Sequence, residues 1–137
     1  MQIKREVYER IIASLSSSNH ETGGILAIKN EVICDFFFDE GKNSSPYYYE
    51  PNTQILDDII EKWENEGLTF GGIIHSHLKG NGLLSANDLK YVKLVREAMP
   101  ELQHLLFPVL LLAREVPQIR YFECIKSMEE IDVEIVD

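Results

Sequence analysis

Cysteine is scarce in this sequence: the 137 residues contain two, Cys34 and Cys124, and no C-x-x-C pair. Two isolated thiols build neither the disulfide framework of a small secreted domain nor a thiolate metal site, so they read as reduced packing residues of a cytoplasmic protein. Long apolar runs are missing too. The longest, Leu105 to Ala113, contains Pro108 and is about half a membrane span, and the N-terminal MQIKREVYER lacks the apolar stretch of a secretory leader. No membrane association is expected. Clusters of positive charge are also absent. Thirteen Lys and Arg stand against 23 Asp and Glu, a formal net charge of −10, with the acids spread through positions such as Asp57, Asp58, Glu61, Glu64, Glu101 and Glu130. Nucleic acid, whose binding rests on neutralised phosphates, is therefore not an expected partner. With no repeats, linkers or low-complexity tracts, residues 1–137 are read as one domain.

What is present is an ordered alternation of helical and strand patterns. Residues 3–16 place Tyr8, Ile11, Ile12 and Leu15 on one stripe, predicting an amphipathic helix. Residues 23–28 and 31–38 read as two strands joined tightly at Lys29-Asn30. Residues 39–51, DEGKNSSPYYYEP, form a turn-rich loop. Its adjacent Tyr47, Tyr48 and Tyr49 cannot all face a core: either one or two pack in an ordered loop, or the three form a surface that binds substrate or partner. A helix follows from an N-cap at Asn52 to Glu66, with Leu56, Ile59, Ile60 and Trp63 on one face and Gly67 as its stop. After a strand from Thr69 to His77, a further helix carries a core stripe of Leu89, Val92, Val95 and Met99 up to Pro100. Residues 109–113 read as a buried central strand and 118–124 as its antiparallel neighbour, while Ile131, Val133 and Ile135 alternate with acids in one last edge strand. This order predicts an α/β fold, a mixed sheet with helices on its faces.

The chemistry concentrates in residues 69–88, TFGGIIHSHLKGNGLLSAND. Side chains alternate across a strand, so His75 and His77 share one face and Ser76 points to the other. Gly80 and Gly82 permit a sharp turn, and Ser85-Ala86-Asn87-Asp88 has the form of a capped helix start, which returns the Asp88 carboxylate to the strand's end. Two imidazoles and one carboxylate, with a fourth position for water, make the ligand count of a catalytic zinc site. An H-x-H or an S-x-x-D alone is commonplace. Jointly, His75-Ser76-His77, seven residues, Ser85, two residues and Asp88 resemble the H-x-H-x7-S-x2-D signature of the JAMM (MPN-type) metallopeptidases. Upstream, Glu21-Thr22-Gly23-Gly24-Ile25-Leu26 resembles that family's glutamate-glycine stretch after the first helix. Leu78 departs from the pattern, since the family usually carries proline after the second histidine; this bears on loop rigidity and removes no ligand.

The resemblance covers about residue 3 to about residue 125. It implies a mixed, curved β-sheet flanked by helices, an α/β/α sandwich related in shape to the cytidine deaminases. It implies one Zn2+ per chain, held by His75, His77 and Asp88, with Glu21 as general base and Ser85 helping to stabilise the oxyanion. The implied reaction is hydrolysis of an amide, commonly the isopeptide bond at the C-terminal glycine of a ubiquitin-like modifier. A compact, stand-alone prokaryotic form would act on a ubiquitin-like or sulfur-carrier protein. Two alternatives stand beside it: a non-catalytic MPN-type scaffold, which typically lacks the ligands retained here, and a DNA-repair-associated JAMM-like protein, against which the acidic balance weighs. A zinc deaminase would need H-x-E with P-C-x-x-C, and an H-E-x-x-H protease its own motif; neither occurs. The oligomeric state, a homodimer included, is open at this point.

Overall fold

The computed structural model describes residues 1–42, 49–78, 82–113 and 115–137, so Tyr47 and Tyr48 lie outside the described residues. In chain order the elements are β1 (Gln2–Lys4), α1 (Arg5–Ser16), β2 (Gly23–Lys29), β3 (Val32–Asp39), α2 (Thr53–Asn65), β4 (Thr69–His77), α3 (Ala86–Ala98), β5 (Val109–Leu111), β6 (Gln118–Glu123), β7 (Glu129–Ile131) and β8 (Glu134–Val136). The strands form one mixed sheet in the order β7-β6-β5-β4-β2-β3-β1-β8.

Strand alternation sorts the core into two layers. Ile25, Ala27, Ile73, Val109, Leu111 and Phe122 face Leu56 and Trp63 of α2 and Val92 of α3. Their neighbours Leu26, Ile28, Ile74, Leu110 and Tyr121 face Val7, Ile11 and Leu15 of α1. Helices therefore cover both faces, the α/β/α arrangement expected, and each central strand must be apolar on both sides. Among the described residues no helix is long and apolar enough to cross a membrane.

The ends of the chain differ from the expectation. The first residues are not helical: β1 pairs in parallel with both β3 and β8. The single last strand is in fact two, with β7 on β6 at one edge of the sheet and β8 on β1 at the other. Only Asp132 and Val133 separate them, so the two edges of an eight-stranded sheet must lie close together. The sheet accordingly curls around α1, and residues from Tyr121 on β6 to Ile135 on β8 pack in the layer that encloses it. Alternation in a short tail reports facing; it carries no information about which of two edges the tail will join.

Smaller differences have local causes. The β2–β3 turn is centred on Asn30 and Glu31, both at positive φ (53° and 64°), one residue later than expected and suited to a tight hairpin. Asn52 precedes α2, yet its side chain makes no cap; its backbone N–H instead donates to Asp39 Oδ2 (2.9 Å). Gly67, at φ 81°, ends α2 and donates to the Glu64 carbonyl, as its place in the sequence suggests. On α3, Val92 is buried and Val95 and Met99 half-buried, but Leu89 is 44% exposed. Asp88 faces β4, and the next helical residue is turned about 100° away from it.

Candidate active site

β4 lies inside the sheet, antiparallel to β2 and parallel to β5, with His75 in register with Gly23 on one side and Val109 on the other. This makes the carrier of both histidines rigid. The side chains of residues 73, 75 and 77 project toward the layer that holds α2 and α3, and His75 is only 3% exposed. Ser76 points the other way and ties the upstream segment down: its Oγ accepts from the Thr22 N–H (3.0 Å), and its own N–H donates to the Thr22 carbonyl (2.8 Å). Residues 54 apart in sequence are thereby locked together.

At the start of α3, the Ser85 hydroxyl accepts from the Asp88 N–H (3.1 Å) and Asp88 Oδ2 accepts from the Ser85 N–H (2.8 Å). This capping box satisfies two helix-end donors and fixes the Asp88 rotamer. The carboxylate then reaches β4, with Oδ1 3.1 Å from His75 Nε2 and Oδ2 3.6 Å from His77 Nε2. The two Nε2 atoms are 2.9 Å apart. Burial opposes ionisation of Asp88, but hydrogen bonds from His75, His77 and the Ser85 amide outweigh it and hold the carboxyl well below the usual range.

This arrangement fits a metal ion. The three ligand atoms lie within 4.8 Å of one another. Tetrahedral zinc with bonds of about 2.0–2.1 Å separates neighbouring ligand atoms by about 3.3 Å, in the range seen here. Two imidazole nitrogens aimed at one another at 2.9 Å repel unless a proton or cation lies between them. A nitrogen, nitrogen, oxygen donor set suits zinc.

Glu21 sits immediately before β2 and is 5% exposed. Burial raises its pKa, opposed by the nearby His77 and His75 and by the Leu78 N–H, which lies 3.4 Å from Glu21 Oε2. A carboxyl so shifted is a better proton acceptor than an ordinary surface glutamate. The departure at Leu78 thus supplies an N–H that proline would lack. Ser85 is a cap in this structure. Its Oγ accepts one hydrogen bond, and its O–H has no acceptor among the described residues.

Tyr49 differs from the binding-surface alternative. It is 5% exposed, its hydroxyl donates to Asp39 Oδ2 (2.6 Å), and its ring lies parallel to His75, centroids 6.4 Å apart at 14°. It is therefore a packed tyrosine of the core layer that holds α2 and α3. Sequence reasoning missed its partner Asp39. Gly23, opposite His75, makes room for the ring: a Cβ there would fall 2.7 Å from the Tyr49 ring and 2.3 Å from the Ile74 carbonyl.

Known proteins bear on this geometry. No family model matches the sequence. Desampylase from Pyrococcus furiosus is 29% identical over 91 residues, 66% of this chain, and the match spans 65% of desampylase itself. A JAB1/MPN domain protein from Archaeoglobus fulgidus superposes with a TM-score of 0.61 at 17% identity, covering all of both chains. The fold is that of a JAB1/MPN domain, and the ligand pattern is the one that resembles the JAMM signature. A Desulfitobacterium hafniense protein solved in solution superposes with a TM-score of 0.71 at 15% identity, covering 99% of this chain and 92% of that one. The curved sheet is what brings Glu21 and Asp88, from opposite sides of β4 in sequence, to the end of one strand.

Proposed function

We propose that this chain is a zinc-dependent isopeptidase that hydrolyses an amide bond at the C-terminus of a ubiquitin-like or sulfur-carrier protein, with residues 1–137 acting as one domain. The observation that carries the reading is the convergence of His75, His77 and Asp88 on one point beside the buried Glu21. Likeness to desampylase supports the choice of reaction. The free thiols of Cys34 and Cys124 are compatible with a reducing cytoplasm.

A zinc ion held by His75 Nε2, His77 Nε2 and an Asp88 oxygen would supply Lewis acidity and acidify a water. Glu21 accepts the proton of the attacking water and returns it to the leaving amine, and its burial, by raising its pKa, makes it a better acceptor of that proton. The Ser85 O–H donates to the carbonyl oxygen as negative charge grows there, while its lone pair continues to cap α3. Because β2 and β5 occupy both edges of β4, the substrate tail meets the end of the metal strand and does not pair along it.

The test combines elemental analysis of the purified protein with release of a fluorophore from a peptide ending in diglycine amide. One zinc per chain and chelator-sensitive release are expected. A protein that binds zinc without cleaving either this peptide or a modifier conjugate would favour the scaffold alternative.

A further inference from the structure

We infer that Tyr49, anchored by Asp39, is a positioning residue for His75, setting the plane of the imidazole so that Nε2 points to the place where His77 and Asp88 converge. This rests on the metal-site reading above and deepens it.

The anchor is built from the backbone outward. Asp39, the last residue of β3, is buried and accepts three hydrogen bonds: Gly41 N–H on Oδ1 (3.0 Å), and Asn52 N–H (2.9 Å) and the Tyr49 hydroxyl (2.6 Å) on Oδ2. One carboxylate thus holds both ends of the segment joining β3 to α2, and the tyrosine is its third tie. Burial and the adjacent carboxylate both raise the Tyr49 pKa, so the phenol remains a donor. The ring is packed close to two glycines: a Cβ on Gly23 would fall 2.7 Å from it and one on Gly41 3.2 Å from it, so a side chain at either position would crowd it.

Its plane is parallel to that of His75 to within 14°, and Tyr49, Pro51, Tyr91 and Phe107 line the same small space as His75 and Asp88. A buried histidine with one ring nitrogen directed at the ligand cluster can still rotate about its outer torsion, which is broad for imidazole. A flat aromatic wall held parallel to the imidazole to within 14° restricts that freedom. Ligand orientation by neighbouring groups commonly changes metal affinity by about 10- to 100-fold.

The test uses Co2+ as the probe, because its visible absorption reports ligand geometry without any turnover. Tyr49→Phe keeps the ring and loses the anchor; Tyr49→Leu loses the flat wall. Expected results are a Co2+ affinity lowered by about tenfold for Tyr49→Phe and more for Tyr49→Leu, with an altered absorption envelope in both. His75 itself is intact in each. Loss of melting temperature with wild-type affinity and spectrum would overturn the proposal, reducing Tyr49 to packing. Should Tyr49→Leu fail to fold, Tyr49→Phe with Asp39→Asn decides on the same readouts. A folded wild-type chain that takes up no Co2+ overturns the metal reading and this proposal together; normal wild-type binding with unchanged variants overturns this proposal alone.

Discussion

Two clusters of histidine and carboxylate stand at different places on this sheet, and they differ in direction more than in composition. At the end of β4, His75, His77 and Asp88 aim their ligand atoms inward at one point. Beside the β2–β3 turn, His104 aims its two ring nitrogens apart, Nδ1 at Glu123 Oε1 (2.9 Å) and Nε2 at Glu31 Oε1 (2.8 Å). The first geometry concentrates lone pairs where a cation could sit. The second uses a protonated ring as a double donor, stitching a hairpin turn to β6. Residue type alone does not separate a ligand set from a clamp; convergence and burial do, with the His104 side chain 28% exposed against 4% for His75.

The largest effect should come from breaking convergence. His75→Ala, His77→Ala or Asp88→Ala should each remove most of the bound zinc and abolish cleavage, whereas His104→Ala should leave one zinc per chain; elemental analysis reads both. Equal zinc content in all four variants would erase the distinction. Next in size, Glu21→Gln should keep the metal and lower kcat by about 100-fold or more, since it preserves shape and removes basicity. Activity within about threefold of wild type would require another base.

Ser85→Ala sharpens the comparison differently, because the cap is what turns Asp88 toward the histidines. A loss of about 1 kcal/mol of stability is expected from denaturant unfolding, together with weaker metal binding. Stability loss with unchanged metal affinity would mean that Asp88 finds its rotamer without the cap.

The smallest effect belongs to His104. Burial works against its charge, but the hydrogen bonds to Glu31 and Glu123 outweigh that and raise its pKa. A raised folded-state pKa contributes stability that is complete below the unfolded value of about 6.5 and is lost as pH rises through the folded one. Wild type should therefore exceed His104→Gln by at most about 1 kcal/mol near pH 6, for a partly exposed pair, and the gap should close toward pH 9. A gap that widens with pH would contradict the protonated clamp.

Legibility in the sequence followed the range of the interaction. β4 was read with its observed bounds, and so were the start of α3 and the Ser85 cap, because a period-two run ending in His75-Ser76-His77 and a Ser-x-x-Asp box are set by neighbouring residues. The hairpin of β2 and β3 was legible for the same reason, to within a residue at its turn. Leu89 was misjudged since a helical stripe does not reveal that Asp88 must turn inward. Glu21 was visible through its resemblance to a family pattern; nothing in its own neighbourhood says that Thr22 will bond to Ser76.

By itself, then, the sequence determined the layered α/β architecture and a local ligand triad, since alternation, capping and turn chemistry act over a few residues. Only the tertiary structure decided that β7 and β8 part to opposite edges, that Glu21 is buried beside His77, and that Tyr49 lies against His75. Each of these depends on which distant segments pair and on the space left between them, and no local pattern encodes that.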